Sequence, residues 1–329
     1  MIPQSPLGTF VLCGQSLRQH LAKSCRQQIR AASSAVSPVE LRYDKIVPPD
    51  GNETDRPLVI LHGLFGTRRN FGSLTKAFAK DLGRPVYTLD LRNHGMSPHA
   101  EPHTYPAMAA DVLHFFQTHK LSNISLLGHS MGGKVAMTVA LDPDLPRELL
   151  AHLIIEDIAP ARRALSSKFQ GYIEAMKKIE ANAVRTRQEA DRVLKPYEQD
   201  PMIRAFLLMN LEYSTAHQQR SLKFGVPVGL LGDSIPEIGD FPWSPGERTF
   251  DGPTLFIKGK KSKYINRNNI DTVKSFFPSM IFEELDTGHM VHPERCVLIP
   301  DASGLLLLTD DWYRPNEFKA LVTNFIQSN

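Results

Sequence analysis

A serine in a glycine-framed turn, a histidine near the end of the chain and a carboxylate between them could together carry acyl transfer. The serine is Ser130, within Leu127-Gly128-His129-Ser130-Met131-Gly132-Gly133. G-x-S-x-G is a common string, so its flanks decide its meaning. Here an apolar strand (ISLL) enters it and a helix (GGKVAMTVAL) leaves it, which is the context of a nucleophile elbow. Such a turn strains the serine backbone, and Gly128 and Gly132 leave room for the chain to pass close by. The hydroxyl is then exposed at the C-terminal end of the sheet. The helix N-terminus behind it favours a developing negative charge.

A tetrahedral oxyanion needs preformed N–H donors. The elbow offers that of Met131, and His62-Gly63-Leu64-Phe65-Gly66, directly after the strand PLVIL, offers that of Leu64. A nucleotide-phosphate loop is the rival reading of these glycines. It fails for want of G-x-G-x-x-G or G-K-[ST].

The general base is expected at His289, in Thr287-Gly288-His289 after the last strand. Its place and its preceding glycine single it out among twelve histidines. His292 should line the site or cap a helix. His94, His99 and His103 form a loose loop cluster, read as surface or lid contacts because no metal-ligand spacing links them. The acid is harder to place. The loop after the strand Pro253–Lys258 reads Gly259-Lys260-Lys261-Ser262-Lys263-Tyr264, without a carboxylate. An earlier strand ends Ile154-Ile155-Glu156-Asp157, and alternation puts Glu156 and Asp157 on opposite sides, so one of them reaches His289. Asp157 is the choice, with Asp271 and Asp233 as fallbacks.

These residues must be positioned by elements that the pattern also shows. Val39–Val47, Pro57–His62, Pro85–Asp90, Ile124–Leu127, Ala151–Glu156, Pro253–Lys258 and Met280–Leu285 read as strands. Phe71–Asp81, Tyr105–Lys120 and Gly132–Leu141 carry helical spacing between them. This alternation predicts an α/β fold, with a mostly parallel sheet and helices on both faces. Residues 161–224 are helix-rich and charged without an apolar strand run, and 225–248 are dense in Gly and Pro. Residues 161–250 therefore read as a helical cap inserted into one domain spanning 37–329.

Composition narrows the function classes. The chain has 329 residues, with 38 Lys and Arg against 35 Asp and Glu, a net charge of +3. No basic stripe suits nucleic acid. Cys13, Cys25 and Cys296 lack CxxC spacing, which argues against structural zinc and a disulfide scaffold. No apolar run approaches membrane-spanning length. Met1–Val39 contains no acid but carries Arg18, Lys23, Arg26 and Arg30, ending in a Ser- and Ala-rich stretch. Residues 1–36 thus read as a mitochondrial targeting peptide, processed near Arg30–Ser34.

Several segments in order, HGLFGTRRN (62–70), PVYTLDLRNHGMSPH (85–99), LLGHSMGGKVAM (126–137), EDIAP (156–160) and GHMVHPER (288–295), resemble one branch of the α/β-hydrolase superfamily. That branch holds the mitochondrial abhydrolase-domain protein eleven, bacterial esterases similar to it and the fungal mitochondrial ethanol acetyltransferases. The resemblance implies an α/β-hydrolase fold, Ser130 as nucleophile, His289 as base and an acid at the D-x-x-P segment, which supports Asp157. Asp90, Arg92 and Asn93 look like framework positions. The implied chemistry acts on short or lipid-like carboxylic esters, with water or an alcohol as acyl acceptor and no metal or organic cofactor. A non-catalytic role as binding partner of a mitochondrial enzyme is the alternative from another class.

One departure stands out. The family pattern runs from HPER almost directly into a helix such as RPNEFKALVTNFI. Here the eighteen residues Cys296–Tyr313 intervene. The Val297 codon begins with GT, and Tyr313-Arg314 can be written with a terminal AG. The segment reads as an unspliced intron; if it is real, it could displace the last helix.

Overall fold

Leu58–Leu61 and Val86–Leu89 are buried at every position, as a parallel sheet covered on both faces requires. The computed structural model describes residues 37–54, 56–214, 221–292, 298–300, 306–308 and 316–329. Residues 1–36 and most of 296–313 lie outside the described residues, so the targeting reading has no structural counterpart here. The strands are β1 (Tyr43–Ile46), β2 (Leu58–Leu61), β3 (Val86–Leu89), β4 (Ile124–His129), β5 (Leu150–Glu156), β6 (Leu211–Tyr213), β7 (Leu222–Phe224), β8 (Thr254–Gly259), β9 (Ile281–Leu285), β10 (Leu298–Pro300) and β11 (Leu306–Leu308). The helices are α1 (Gly72–Leu82), α2 (Tyr105–Thr118), α3 (Met131–Ala140), α4 (Ser167–Ala181), α5 (Arg187–Leu194), α6 (Pro201–Leu208), α7 (Val228–Asp233), α8 (Ile235–Gly239), α9 (Ile270–Phe276) and α10 (Asn316–Ser328).

Seven strands form one sheet in the order β1-β3-β2-β4-β5-β8-β9. All its pairings are parallel except β1 with β3, which is antiparallel. The expected α/β class, with its mostly parallel sheet, holds. Alternation sorts the strand side chains into two cores. Leu58, Ile60, Val86, Ile154 and Leu255 face Phe71, Leu74 and Phe78 at α1 and Phe318, Val322 and Phe325 on α10. Val59, Leu61, Leu89, Leu126, Leu153 and Phe256 face α2 and α3. The order steps outward from β2 to β3 and β1 on one side and to β4, β5, β8 and β9 on the other. Loops after the central strands therefore open on one crevice at their C-terminal ends.

Local chemistry terminates these elements. Gly83 closes α1 in the left-handed region, φ 61°, where a Cβ would be strained. In the 161–250 segment, Thr186 and Asp200 accept hydrogen bonds from Glu189 and Met202 amides and so start α5 and α6, the latter with Pro201 at its first position. This segment also contains strands that the apolar pattern does not show: β6 and β7 pair as a short hairpin, Leu211 opposite Phe224. They are three residues each, too short for a periodicity to register.

Helix α10 is seated despite the insertion before it. Phe318, Val322, Phe325 and Ile326 are buried, and Lys319 Nζ reaches Asp81 Oδ2 at 2.5 Å. Within the insertion, β10 and β11 pair antiparallel. Arg92 and Asp111 form a fully buried fork, Nε to Oδ2 at 2.6 Å and Nη2 to Oδ1 at 2.7 Å, which also takes the Pro102 carbonyl and the Val39 amide. Removing one partner strands a buried charge. Asp111→Leu should therefore cost about 3–5 kcal/mol in urea unfolding, and adding Arg92→Met should restore at least half of that loss.

Candidate active site

β4 ends at His129, and Ser130 turns the chain into α3 with φ 51° and ψ −116°. That strained conformation is held by neighbours on both sides. The Ser130 amide donates to Glu156 O at 3.0 Å, and its carbonyl accepts from the Lys134 amide at 3.1 Å. The end of β2 passes so close that a Cβ at Gly132 would sit 2.5 Å from the Leu61 and His62 carbonyls, so only glycine fits there.

Asp157, directly after β5, also has a positive φ of 51° and is fully buried. Its Oδ2 lies 2.7 Å from His289 Nδ1, and its Oδ1 accepts the Gly259 amide at 3.1 Å. His289 Nε2 lies 2.9 Å from Ser130 Oγ. One tautomer satisfies both contacts: Nδ1–H donates to Asp157 while Nε2 accepts the Ser130 hydroxyl. The Tyr264 ring stacks on the imidazole, centroids 4.0 Å apart and 29° from parallel, which limits its rotation. The structure thus joins Ser130, His289 and Asp157 into one hydrogen-bonded relay. Asp233 and Asp271 are exposed on α7 and α9, whereas Asp157 is the carboxylate bonded to His289. Glu156 points elsewhere, to His292.

The turn after β2 lies against the elbow. A Cβ at Gly63 would come within 3.3 Å of Ser130 Cβ. Gly66 N–H closes the turn on Gly63 O at 2.9 Å, and Phe65 takes φ 62°. The Phe65 amide is spent on His94 Nε2 at 3.2 Å, whereas the preceding Leu64 amide is bonded to none of the described residues. Met131 opens α3, where a helix amide has no intrahelical acceptor. Leu64 and Met131 thus each present an amide beside Ser130 for which no partner is seen among the described residues.

Two sequence readings need correction here. His94 and His103 are not surface contacts; they are 0% and 2% exposed. Only His99 of that cluster is exposed, and it meets the 161–250 segment at Gly225 O, 3.1 Å away. His62 and His94 instead brace the Leu64 turn: His62 Nε2 accepts the Leu91 amide at 3.0 Å and its Nδ1–H reaches Gly63 O at 2.8 Å. Burial lowers the pKa of both, keeping them neutral, as a ring that both donates and accepts must be. The apolar pattern offered no sign of this role, because the partners lie 29 residues apart.

A cavity of about 1770 Å³ opens over Ser130. Phe169, Tyr172, Ile203, Phe206 and Leu207 from the 161–250 segment line it opposite Leu64, Met131 and His289. Lys134, one turn along α3 from Ser130, ties this segment down at both ends. Its buried ammonium donates to Ala161 O at 3.0 Å, Gly239 O at 3.2 Å and Asp240 O at 2.7 Å.

Comparison with known proteins places this geometry. Residues 56–295 match the model of the alpha/beta hydrolase fold family. The chain belongs to that family. It is 38% identical over 262 residues to the sn-1-specific diacylglycerol lipase ABHD11 of Xenopus laevis, covering 78% of this chain and 80% of that protein. It is 32% identical over 316 residues to a probable alcohol acetyltransferase of Saccharomyces cerevisiae, covering 88% and 91%. Among solved structures, a marine microorganism esterase superposes with a TM-score of 0.70 at 28% identity, covering 88% of this chain and 99% of that one.

His103 supplies a test of the buried imidazoles. Burial holds its pKa down to about 3, against 6.5 for the free side chain. The unfolded chain then binds the extra proton between those values, so this residue makes stability fall as pH drops from about 6.5 towards 3. His103→Gln should flatten that fall by about one proton, measured as urea midpoints between pH 7 and pH 4.

Proposed function

We propose that the protein is a serine esterase that cleaves carboxylic esters, including lipid-like ones, through an acyl-enzyme on Ser130. The observation that carries this reading is the Asp157–His289–Ser130 relay, with contacts of 2.7 and 2.9 Å. His289 takes the hydroxyl proton as Ser130 Oγ attacks the ester carbonyl. The oxyanion sits against the Leu64 and Met131 amides. Asp157 holds the tautomer and stabilises the imidazolium without accepting its proton. His289 then returns the proton to the departing alcohol. Water, activated by the same imidazole, releases the acid and restores Ser130.

Substrate size follows from the cavity. At about 1770 Å³ it exceeds the several hundred Å³ typical of small-ligand sites, and its 161–250 side sets apolar Phe169, Ile203, Phe206 and Leu207 among charged residues such as Arg187, Asp191 and Arg204. That favours long acyl chains, in keeping with the name of the Xenopus relative. The name of the yeast relative favours a second reading, in which an alcohol rather than water resolves the acyl-enzyme. Both readings share every step up to that point.

We also propose that residues 1–36 address the chain to mitochondria, which import into isolated mitochondria would test, and that 296–313 is absent from the spliced message, which sequencing that message would test. Ser130→Ala should abolish release of p-nitrophenol from acetate, butyrate and octanoate esters. Asp157→Asn should lower kcat by on the order of 10⁴-fold. Adding ethanol and analysing products decides between free acid and ethyl ester. Turnover that survives Ser130→Ala would sink the esterase reading and advance a binding role beside a mitochondrial enzyme.

A further inference from the structure

His129 and Glu156 are the residues immediately before Ser130 and Asp157, and they stand opposite each other in the β4–β5 register. Their side chains touch the stretch that carries His289. His129 Nε2–H donates to the His289 carbonyl at 3.0 Å. Glu156 Oε1 accepts both the His292 amide at 2.9 Å and His292 Nδ1–H at 2.7 Å. His292 also stacks on Phe71, centroids 4.1 Å apart. Residues 289–292 are thus held at both ends by the same strand tips that deliver Ser130 and Asp157.

We infer that His129 and Glu156 are positioning residues for His289, coupling the placement of the base to the two strands that carry its hydrogen-bond partners. This inference rests on the esterase reading of the relay. The arrangement resists simpler accounts. All three groups are at most 4% exposed, and Glu156 Oε2 and His292 Nε2 have no hydrogen-bond partner among the described residues, so the cluster is costly for stability alone. The three also lie within 4.8 Å of one another, the reach of a metal site. Within the cluster, Glu156 Oε1 and His292 Nδ1 hold each other and His129 Nε2 holds a carbonyl, which fixes both rings and the carboxylate in orientation. Burial holds both imidazoles near pKa 3, so each stays a neutral single donor.

The test separates alignment from folding and from substrate binding. His129→Phe and Glu156→Leu should lower kcat on p-nitrophenyl butyrate about 10- to 100-fold, with KM changed less than about threefold, because only the base is displaced. His129→Asn and Glu156→Gln keep a donor and an acceptor and should restore kcat to within about fivefold of wild type. Proton NMR of the resting protein gives a readout that needs no turnover. The low-field His289 Nδ1–H resonance should persist in the polar variants and vanish in the apolar ones. Unchanged kcat and resonance in folded apolar variants, or KM rising in step with lost kcat, overturns the inference. If Glu156→Leu does not fold, His292→Phe keeps the ring stack, removes the side-chain bond to Glu156 and carries the same test. The expected resonance pattern without Ser130-dependent turnover supports positioning and rejects the ester reading. Ser130-dependent turnover with apolar variants as fast as wild type does the reverse.

Discussion

The imidazole of His289 is the constraint around which the rest is arranged. Its two nitrogens must meet partners that follow β4 and β5, while the ring itself follows β9. Neighbouring strands lie about 4.8 Å apart, and β8 stands between β5 and β9. The bridge therefore has to cross the tip of β8. Gly259 makes that crossing feasible: it ends β8, a Cβ there would collide with the Gly288 carbonyl, and its amide donates to Asp157. A carboxylate in the lysine-rich loop after β8 is thus unnecessary, because the β5 tip already delivers one within 2.7 Å of the ring.

Holding such a bridge in place draws on buried polar groups that a purely apolar core would not need. Arg92 and Asp111 neutralise each other beneath the loop after β3. His62 and His94 pass hydrogen bonds from that loop to the Leu64 turn. Asp90 binds the Arg68 and Met96 amides and so links the same loop to the segment that follows the turn. Burial keeps the imidazoles neutral, which lets one ring donate and accept at once.

The 161–250 segment meets the sheet through a different device. Lys134 spans from the elbow helix to carbonyls near both ends of the segment, and Tyr105 Oη adds a bond to Ile238 O at 2.7 Å. Burial lowers its pKa to about 8, and three carbonyls absorb the charge it carries below that value. Lys134 thereby couples the helix that follows Ser130 to the segment that carries the cavity wall.

Much of this was legible in the residues alone. Strand runs buried on both faces, the elbow glycines and the HG turn are local patterns whose physics acts within a few positions, and they place Ser130 and Leu64 without tertiary information. Alternation put the two carboxylates at the end of β5 on opposite sides and made Asp157 the choice, and the structure brings Asp157 to His289 and Glu156 to His292. The short hairpin of β6 and β7, the helix α9 and the antiparallel pairing of β1 escaped because each is brief or depends on a distant partner. The burial of His94 and His103 and the grip of His129 and Glu156 on residues 289–292 escaped for the same reason. A hydrogen bond between residues 136 or 160 positions apart leaves no periodicity in the chain. Sequence determined which groups could react, and only the packed sheet decided which of them meet, because proximity is set by strand order rather than by spacing.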